Sequence, residues 1–455
     1  MLAIVTPEEM AAIDAAAPEP VDVLIGRAGA AVARAALERL GGGYGRRVVV
    51  LAGKGNNGND GRDAARRLAR RGVRVQVVDV AGAPATLPSV DLVLDAAFGT
   101  GFRGEWRAPE VPPGTAVLAV DIPSGVDGVT GEVGEGSRVL AADATVTFAA
   151  LKPGLVLAAG HERAGAVSVV DIGLDTSSAR AHLVTDDDVR RWWPVRPEGD
   201  HKWRSAVWVV GGSPGMDGAV ALTCAGAQRT GAGYVRCSIP GGGDAGGRVA
   251  VEVVQVPLPR TGWWPDVAPD LERFSALVVG NGLGRDAGMA SDVRAAATAG
   301  ALPVVLDADA LVALGVGATG LGPQVVLTPH DGEYAALAGH GPGPDRLGAT
   351  RDLARRTGAV VVLKGGPTVV AHPDGRVLVA AAGDARLATA GTGDVLAGMV
   401  GALCARGLEP FRAAAVAAHL HGRAGALGWR IGLAAGDLPD LVPAALEAMG
   451  VPGRG

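Results

Sequence analysis

The feature that most constrains this chain is a rhythm. A short apolar run enters a glycine-bearing loop, a stretch at helical spacing follows, and the pattern recurs in both halves. "RRVVVLAG" (46–53) runs into "KGNNGNDGRDAARRLARRG", and "VRVQVVDV", "VDLVLDAAFG", "TAVLAVDIPSG" and "ATVTFAALKPG" continue as strands. The texture changes at "DDDVRRWWPVRPEGDHKW" (186–203), which is charged, aromatic and proline-bearing. The rhythm then restarts with "SAVWVVGGSPGMDGAVALTCAGAQRTGAGYVRCSIP", and "ALVVGNGLG", "LPVVLDADAL", "QVVLTPHDGEYAAL" and "AVVVLKGGPTVVA" extend it. Strands this apolar, alternating with helices, argue for parallel sheets covered on their faces. The expectation is an α/β chain of two domains, 1–195 and 196–455, the first a three-layer parallel sheet.

Composition narrows the class. The 455 residues are 48% hydrophobic and 20% charged, which is a globular balance. Net charge is −5 with no Lys/Arg block, so nucleic-acid binding through a basic patch is disfavoured. Cys224, Cys237 and Cys404 form no metal spacing and no disulfide framework, and read as buried, reduced thiols. The start, "MLAIVTPEEMAAIDAAA", has no basic region before an apolar stretch and reads as a helix beginning at Pro7. No apolar run reaches membrane-spanning length without a charge or histidine. A cytoplasmic setting without a membrane partner is expected.

Ligands of open parallel sheets sit at the carboxyl ends of the strands, so the loops there are the candidate sites. In the first half, Asn56, Asn57, Asn59 and Asp60 offer amide and carboxylate oxygens beside helix N–H groups. Such a loop can hold a phosphate, a hard cation or both, or it can be an ordinary Asx-rich turn. "DAAFGTGFRGEW" places Asp95 at a strand end, with Gly99, Thr100 and Gly101 able to approach a ligand backbone-first. "VDIPSGVDGVTG" adds Asp121 and Ser124, and "ALKPG" adds Lys152. Each alone is a cap, a turn or a solvated lysine; together they describe a crevice.

The second half also contains "ATAGTGDVLAGMV" (388–400), where a glycine turn becomes a helix. Asp394 there is either a helix cap or a base beside a phosphate-binding turn, since anions favour a helix start and a carboxylate would repel them. Asp307 and Asp309 in "LDADAL" either serve a site or cap the next helix. Glu333 either reaches a magnesium ion through water or is solvated. His419 and His421, two apart on a helix, do not share a face and read as structural.

In this order, "GNNGNDG", "DAAFGTG", "VDIPSGVD" and "LKPG" resemble the NAD(P)H-hydrate epimerase family. The resemblance implies a Rossmann-like domain that interconverts the R and S forms of hydrated NADH and NADPH (NADHX and NADPHX). It assigns substrate binding to Asn56, Asn57, Gly58, Asn59, Asp60, Gly99, Thr100, Gly101, Phe102, Arg103, Gly104 and Glu105. It implies a potassium ion on Asn57, Asp95 and Ser124, with Asp121 as substrate contact and base. Asn59 stands where that family usually has glycine.

From about His201 onward, "GGSPGMDGA", "GNGLG", "TPHDGE", "LKGGPT" and "ATAGTGD" resemble the ADP-dependent NAD(P)H-hydrate dehydratases, which are similar to ribokinase-like kinases. The implied reaction phosphorylates the ring hydroxyl with ADP and eliminates phosphate. Asp394 would be the base. Ala219, Gly282, His330 and Asp394 would contact the hydrate, and Lys364, Gly365, Gly366, Pro367, Thr368 and Gly393 would line the nucleotide site, with Mg²⁺ beside it. A homo-oligomer is also expected. Two departures stand out: Ala385–Arg386–Leu387, and Asn281 where proline is usual. The competing reading is an ATP-dependent small-molecule kinase carrying a non-catalytic nucleotide-binding domain.

Overall fold

The computed structural model describes residues 1–242, 248–300 and 302–452. The chain divides into two compact units, with the break between Ala181 and His182. The break lies ahead of the 195/196 junction expected from composition. The reason is that Asp186–Trp192 is a helix packed on the second unit rather than a linker. Its Asp186 meets His419 Nε2 at 2.7 Å, and Arg190 donates to the Met449 carbonyl at 2.6 Å.

In the first unit a parallel sheet runs in the order Arg74–Asp79, Arg47–Ala52, Leu92–Ala96, Ala116–Val120, Ala144–Phe148 and Ala166–Val170. Period-two alternation divides the Arg47–Ala52 side chains between two cores. Val48 and Val50 join helices Val21–Leu40 and Asn56–Arg70, whereas Val49 and Leu51 join Leu87 and Ala142 from irregular segments. The Asn56–Asp60 stretch is therefore the first turn of a helix, not a loop. Gly55 caps it, and a Cβ at Gly58 would collide with the Gly53 carbonyl, so only glycine lets this helix start against the strand end. Asn59 is helical and needs no left-handed backbone.

In the second unit the strands run Val377–Ala380, Thr368–Ala371, Val360–Leu363, Val325–Leu327, Val304–Leu306, Ala276–Val279, Ala206–Val210, Tyr234–Ser238 and Val254–Gln255. Pairing is parallel from Val360–Leu363 onward, whereas Val377–Ala380, Thr368–Ala371 and Val360–Leu363 pair antiparallel in succession. Helix Thr392–Ala405 crosses this sheet against helix Asp217–Arg229. The two helices approach backbone to backbone: a Cβ at Gly398 would collide with the Thr223 carbonyl, and one at Gly226 with the Val395 carbonyl. This close approach fixes where Asp394, in the first turn, is held. Among the described residues no helix is long and apolar enough to cross a membrane. Cys224, Cys237 and Cys404 are buried and free.

Candidate active sites

The strand-end groups of the first unit surround one cavity of about 550 Å³. Asn56, Asn57 and Asp60 line it from the helix start, Gly99, Thr100, Gly101 and Phe102 from the next loop, and Asp121 and Lys152 from the last two. Gly58 and Asn59 do not line it. Arg103 folds back onto the Thr100 and Phe102 carbonyls, and with Gly104 and Glu105 it lies off the cavity wall.

Asp121 follows its strand with φ +67°, a left-handed conformation that aspartate tolerates better than most residues. Its Oδ1 receives Lys152 Nζ at 2.5 Å and the Thr147 hydroxyl at 3.1 Å. Lys152 is only 2% exposed and also donates to Thr147 Oγ1 and the Phe148 carbonyl. Two further carboxyls face the cavity. Burial, reinforced by Asp121, Asp63 and Asp14, pushes Asp60 up to about 8. Asp14, which the sequence reading did not single out, is raised mainly by burial.

Asp95 is fully buried, and that burial raises its carboxyl against the hydrogen bonds from Ser124 and Ala97. Ser124 Oγ accepts from the Phe98 amide at 2.9 Å, and Asn57 Nδ2 donates to the Phe98 carbonyl at 2.9 Å. Asn57 Oδ1 is left buried with no hydrogen-bond partner. Three oxygen-bearing side chains thus converge around Phe98 with one carbonyl oxygen unsatisfied, a donor set suited to a hard cation.

In the second unit Asp394 is not the helix cap. Gly391 occupies that position, at φ +92°, and no side chain caps the helix. Asp394 Oδ1 instead receives Asn281 Nδ2 at 2.7 Å, and the same nitrogen donates to Asp307 Oδ2 at 2.9 Å. Asp307 Oδ1 takes Lys364 Nζ at 2.8 Å, and Lys364 lies 3.4 Å from Glu333. Burial pushes Asp394 up to about 6, opposed by the Asn281 hydrogen bond. Burial would push the Lys364 ammonium down, but Asp307 and Glu333 outweigh it and hold it above its ordinary value.

The remaining expected residues fall around this network. Gly282 (φ +66°) backs onto Ala219. Gly393 faces the Lys364 ammonium, and Thr368 Oγ1 donates to the Gly365 carbonyl across Pro367 at 3.2 Å. His330 is the N-cap of helix Asp331–Ala338, its Nδ1 accepting from the Gly332 amide while its ring stays exposed. Glu333 closes that capping box on the His330 amide at 2.9 Å. Asp309 accepts from the Gly284 amide and pairs with Arg285, so of the two aspartates only Asp307 joins the network. Among the described residues no cluster of three His, Cys, Asp or Glu side chains forms a metal site.

Comparison with known proteins covers both units. The NAD(P)H-hydrate dehydratase family profile matches residues 207–440, and that of the YjeF-related protein N-terminus matches 21–86 and 79–154. The bifunctional NAD(P)H-hydrate repair enzyme of Salinibacter ruber is 39% identical, over 87% of this chain and 86% of that one. The chain belongs to this bifunctional repair family. An ADP/ATP-dependent NAD(P)H-hydrate dehydratase from Bacillus subtilis, co-crystallised with ATP and Mg²⁺, is 30% identical with a TM-score of 0.50. It spans 58% of this chain and 97% of its own. A ribokinase-like superfamily protein from Enterococcus faecalis, 22% identical with a TM-score of 0.51, spans 59% of this chain and 95% of its own and shares the fold. The repair-family fold is thus a Rossmann-like unit followed by a ribokinase-like one. The resemblance read from the motifs holds over 87% of the chain. What the motifs did not reveal is the network of Asn281, Asp307, Lys364 and Asp394, because its members come from three strand-end turns and a helix start far apart in sequence.

Proposed function

We propose that the chain repairs hydrated NADH and NADPH in two steps: the first unit interconverts R- and S-NAD(P)HX, and the second dehydrates the S form while converting ADP to AMP and phosphate. One observation carries the reading: the Asp394 carboxylate, free of any capping role, stands in the first turn of a glycine-started helix beside Lys364.

In the second unit Asp394 takes the proton of the C6 hydroxyl as its oxygen attacks the β-phosphorus of ADP, and the bond to the bridging oxygen breaks to release AMP. Loss of a C5 proton and of phosphate from C6 then restores the ring double bond. Lys364 and the backbone of Gly365, Gly366, Pro367, Thr368 and Gly393 hold the nucleotide, and donors aimed at developing charge stabilise it. Mg²⁺, if bound together with the nucleotide, would supply positive charge beside its phosphates. Ala219, Gly282 and His330 flank the hydrate.

In the first unit Asp121 is the base at the C6 hydroxyl, with Asn56, Asn57, Asp60 and Gly99–Phe102 around the substrate. Asn57, Asp95 and Ser124 would hold potassium, supported by the unsatisfied Asn57 oxygen; when bound, the ion would supply a fixed positive charge beside the substrate. The protein works in the cytoplasm as a homo-oligomer.

The test is recovery of dihydronicotinamide absorbance from NADHX with ADP, with ATP and with neither, in potassium and in sodium buffer. Recovery that needs a nucleotide supports the reading. No recovery with either nucleotide sinks it.

A further inference from the structure

Asn281 donates to both Asp307, which is buried, and Asp394, which is half-buried. Asn281 itself is fully buried, in the turn after strand Ala276–Val279, between Gly280 and Gly282 at φ +122° and +66°. An amide nitrogen has two hydrogens, and both are spent here: one on Asp394 Oδ1 at 2.7 Å, the other on Asp307 Oδ2 at 2.9 Å. The opposite amide orientation would set a carbonyl oxygen against two carboxylates, so the neighbours dictate the one observed. Its own Oδ1 is left buried and unpartnered. A polar group is seldom left unsatisfied in a core unless another requirement prevails.

The backbone is equally fixed. The Asn281 carbonyl accepts from the Gly212 amide at 2.7 Å, and the Gly282 carbonyl accepts from the Ser213 hydroxyl at 2.8 Å. A side chain at Gly211 would press on the Asn281 carbonyl. The amide therefore cannot follow Asp394 if the carboxylate turns away.

The charges around Asp394 show what the amide does. Asp307 and Glu333 favour its protonated form, Lys364 opposes them, and burial favours protonation most. A base needs the ionised form. Two neighbouring, largely buried carboxylates with no donor between them settle the conflict by binding a proton. We propose that Asn281 is a positioning residue for dehydration: its amide keeps Asp394 ionised and aimed by tying that carboxylate to the Asp307–Lys364 pair. Proline, usual at this position in the resembling family, has no side-chain donor, so this chain holds its base in its own way. The proposal rests on the dehydratase reading for its catalytic meaning, but the tie itself can be measured without turnover.

The experiment uses the full-length protein, its Asn281→Leu variant and its Asn281→Ala variant, the second removing the donor without adding bulk. Aspartate is labelled with ¹³C at its carboxyl carbon, and the Asp394 signal is identified by its loss in Asp394→Asn. Both Asn281 variants should titrate Asp394 at least ~1 pH unit higher than the parent. The acid limb of kcat/KM for S-NADHX should move up equally, with KM for ADP within about twofold and activity recovering at high pH. Asn281→Ser, which restores a donor, should bring both midpoints part-way back. An unchanged Asp394 midpoint overturns the proposal, as does a loss of kcat/KM equal at every pH. A parent enzyme inactive with both ADP and ATP would instead refute the dehydratase reading, and the carboxyl titration would still decide the role of Asn281.

Discussion

Lys152 Nζ lies 2.5 Å from Asp121 Oδ1, and the lysine is almost entirely sealed from solvent while the aspartate faces the cavity. Removing one member of such a buried pair strands the other charge, at a cost of about 3–5 kcal/mol. Lys152→Met should therefore lower the stability of the first unit by that order, read by denaturant unfolding. Asp121→Ala should abolish R-to-S conversion while leaving dehydration of the S form intact. Epimerisation that survives Asp121→Ala would remove this residue from the chemistry.

Asp394→Asn should do the reverse. The amide keeps nearly the same shape and can still accept from Asn281, but it cannot take a proton. Dehydration should fall on the order of 10²–10⁴-fold, with epimerisation of NADHX, followed chromatographically, unchanged. A loss below tenfold would mean that another group accepts the proton.

The pH dependence of dehydration follows from the same carboxyl. Burial first, then Asp307 and Glu333, raise Asp394 to about 6 against the Asn281 hydrogen bond and Lys364. The base form is the ionised one, so kcat/KM for S-NADHX should be flat above about 6 and fall about tenfold per pH unit below it. A profile flat down to pH 4.5 would contradict the assignment.

Asp60 makes a stability prediction with a definite sign. Its folded value is raised from 3.8 to about 8, chiefly by burial. The folded state then binds the proton more tightly than the unfolded state, so this contribution is full below about 4 and lost as pH rises through about 8. Asp60→Asn carries no such linkage. The stability of the variant relative to the parent should climb with pH across that window, by at most about 1.4 kcal/mol per unit, in urea unfolding at fixed ionic strength. A constant difference from pH 4 to 8 would show that Asp60 titrates normally.

Gly398→Ala tests the helix contact that holds Asp394. The added methyl would run into the Thr223 carbonyl, and overpacking of this kind costs roughly 1–3 kcal/mol. Thermal unfolding of the second unit should shift down, and kcat for dehydration should drop at saturating ADP. Gly407→Ala, whose added Cβ meets nothing within 4 Å, is a comparison for backbone strain without collision, since its φ is +90°. If both variants lose stability but only Gly398→Ala loses kcat, the contact positions the base.

Much of the site was legible because it is written locally. Strand ends, glycine turns and helix starts announce themselves within ten residues, which is why Asp121 and Asp394 could be singled out. His330 illustrates what was not legible: its ring serves as a helix cap with Glu333, a use that the same "TPHDGE" allows as readily as a ligand contact. Asp307 and Asp309 are separated by one residue, and nothing local says which of them turns inward.

The sequence by itself determined the α/β rhythm, the two-unit order and the places where backbone can approach a ligand, because apolar periodicity and glycine act through neighbouring residues. Only the tertiary structure decided which charges meet. Asn281 reaches Asp394 across 113 positions and Lys364 reaches Asp307 across 57, and in a low-dielectric pocket such meetings, not the residues singly, set which carboxyl is ionised.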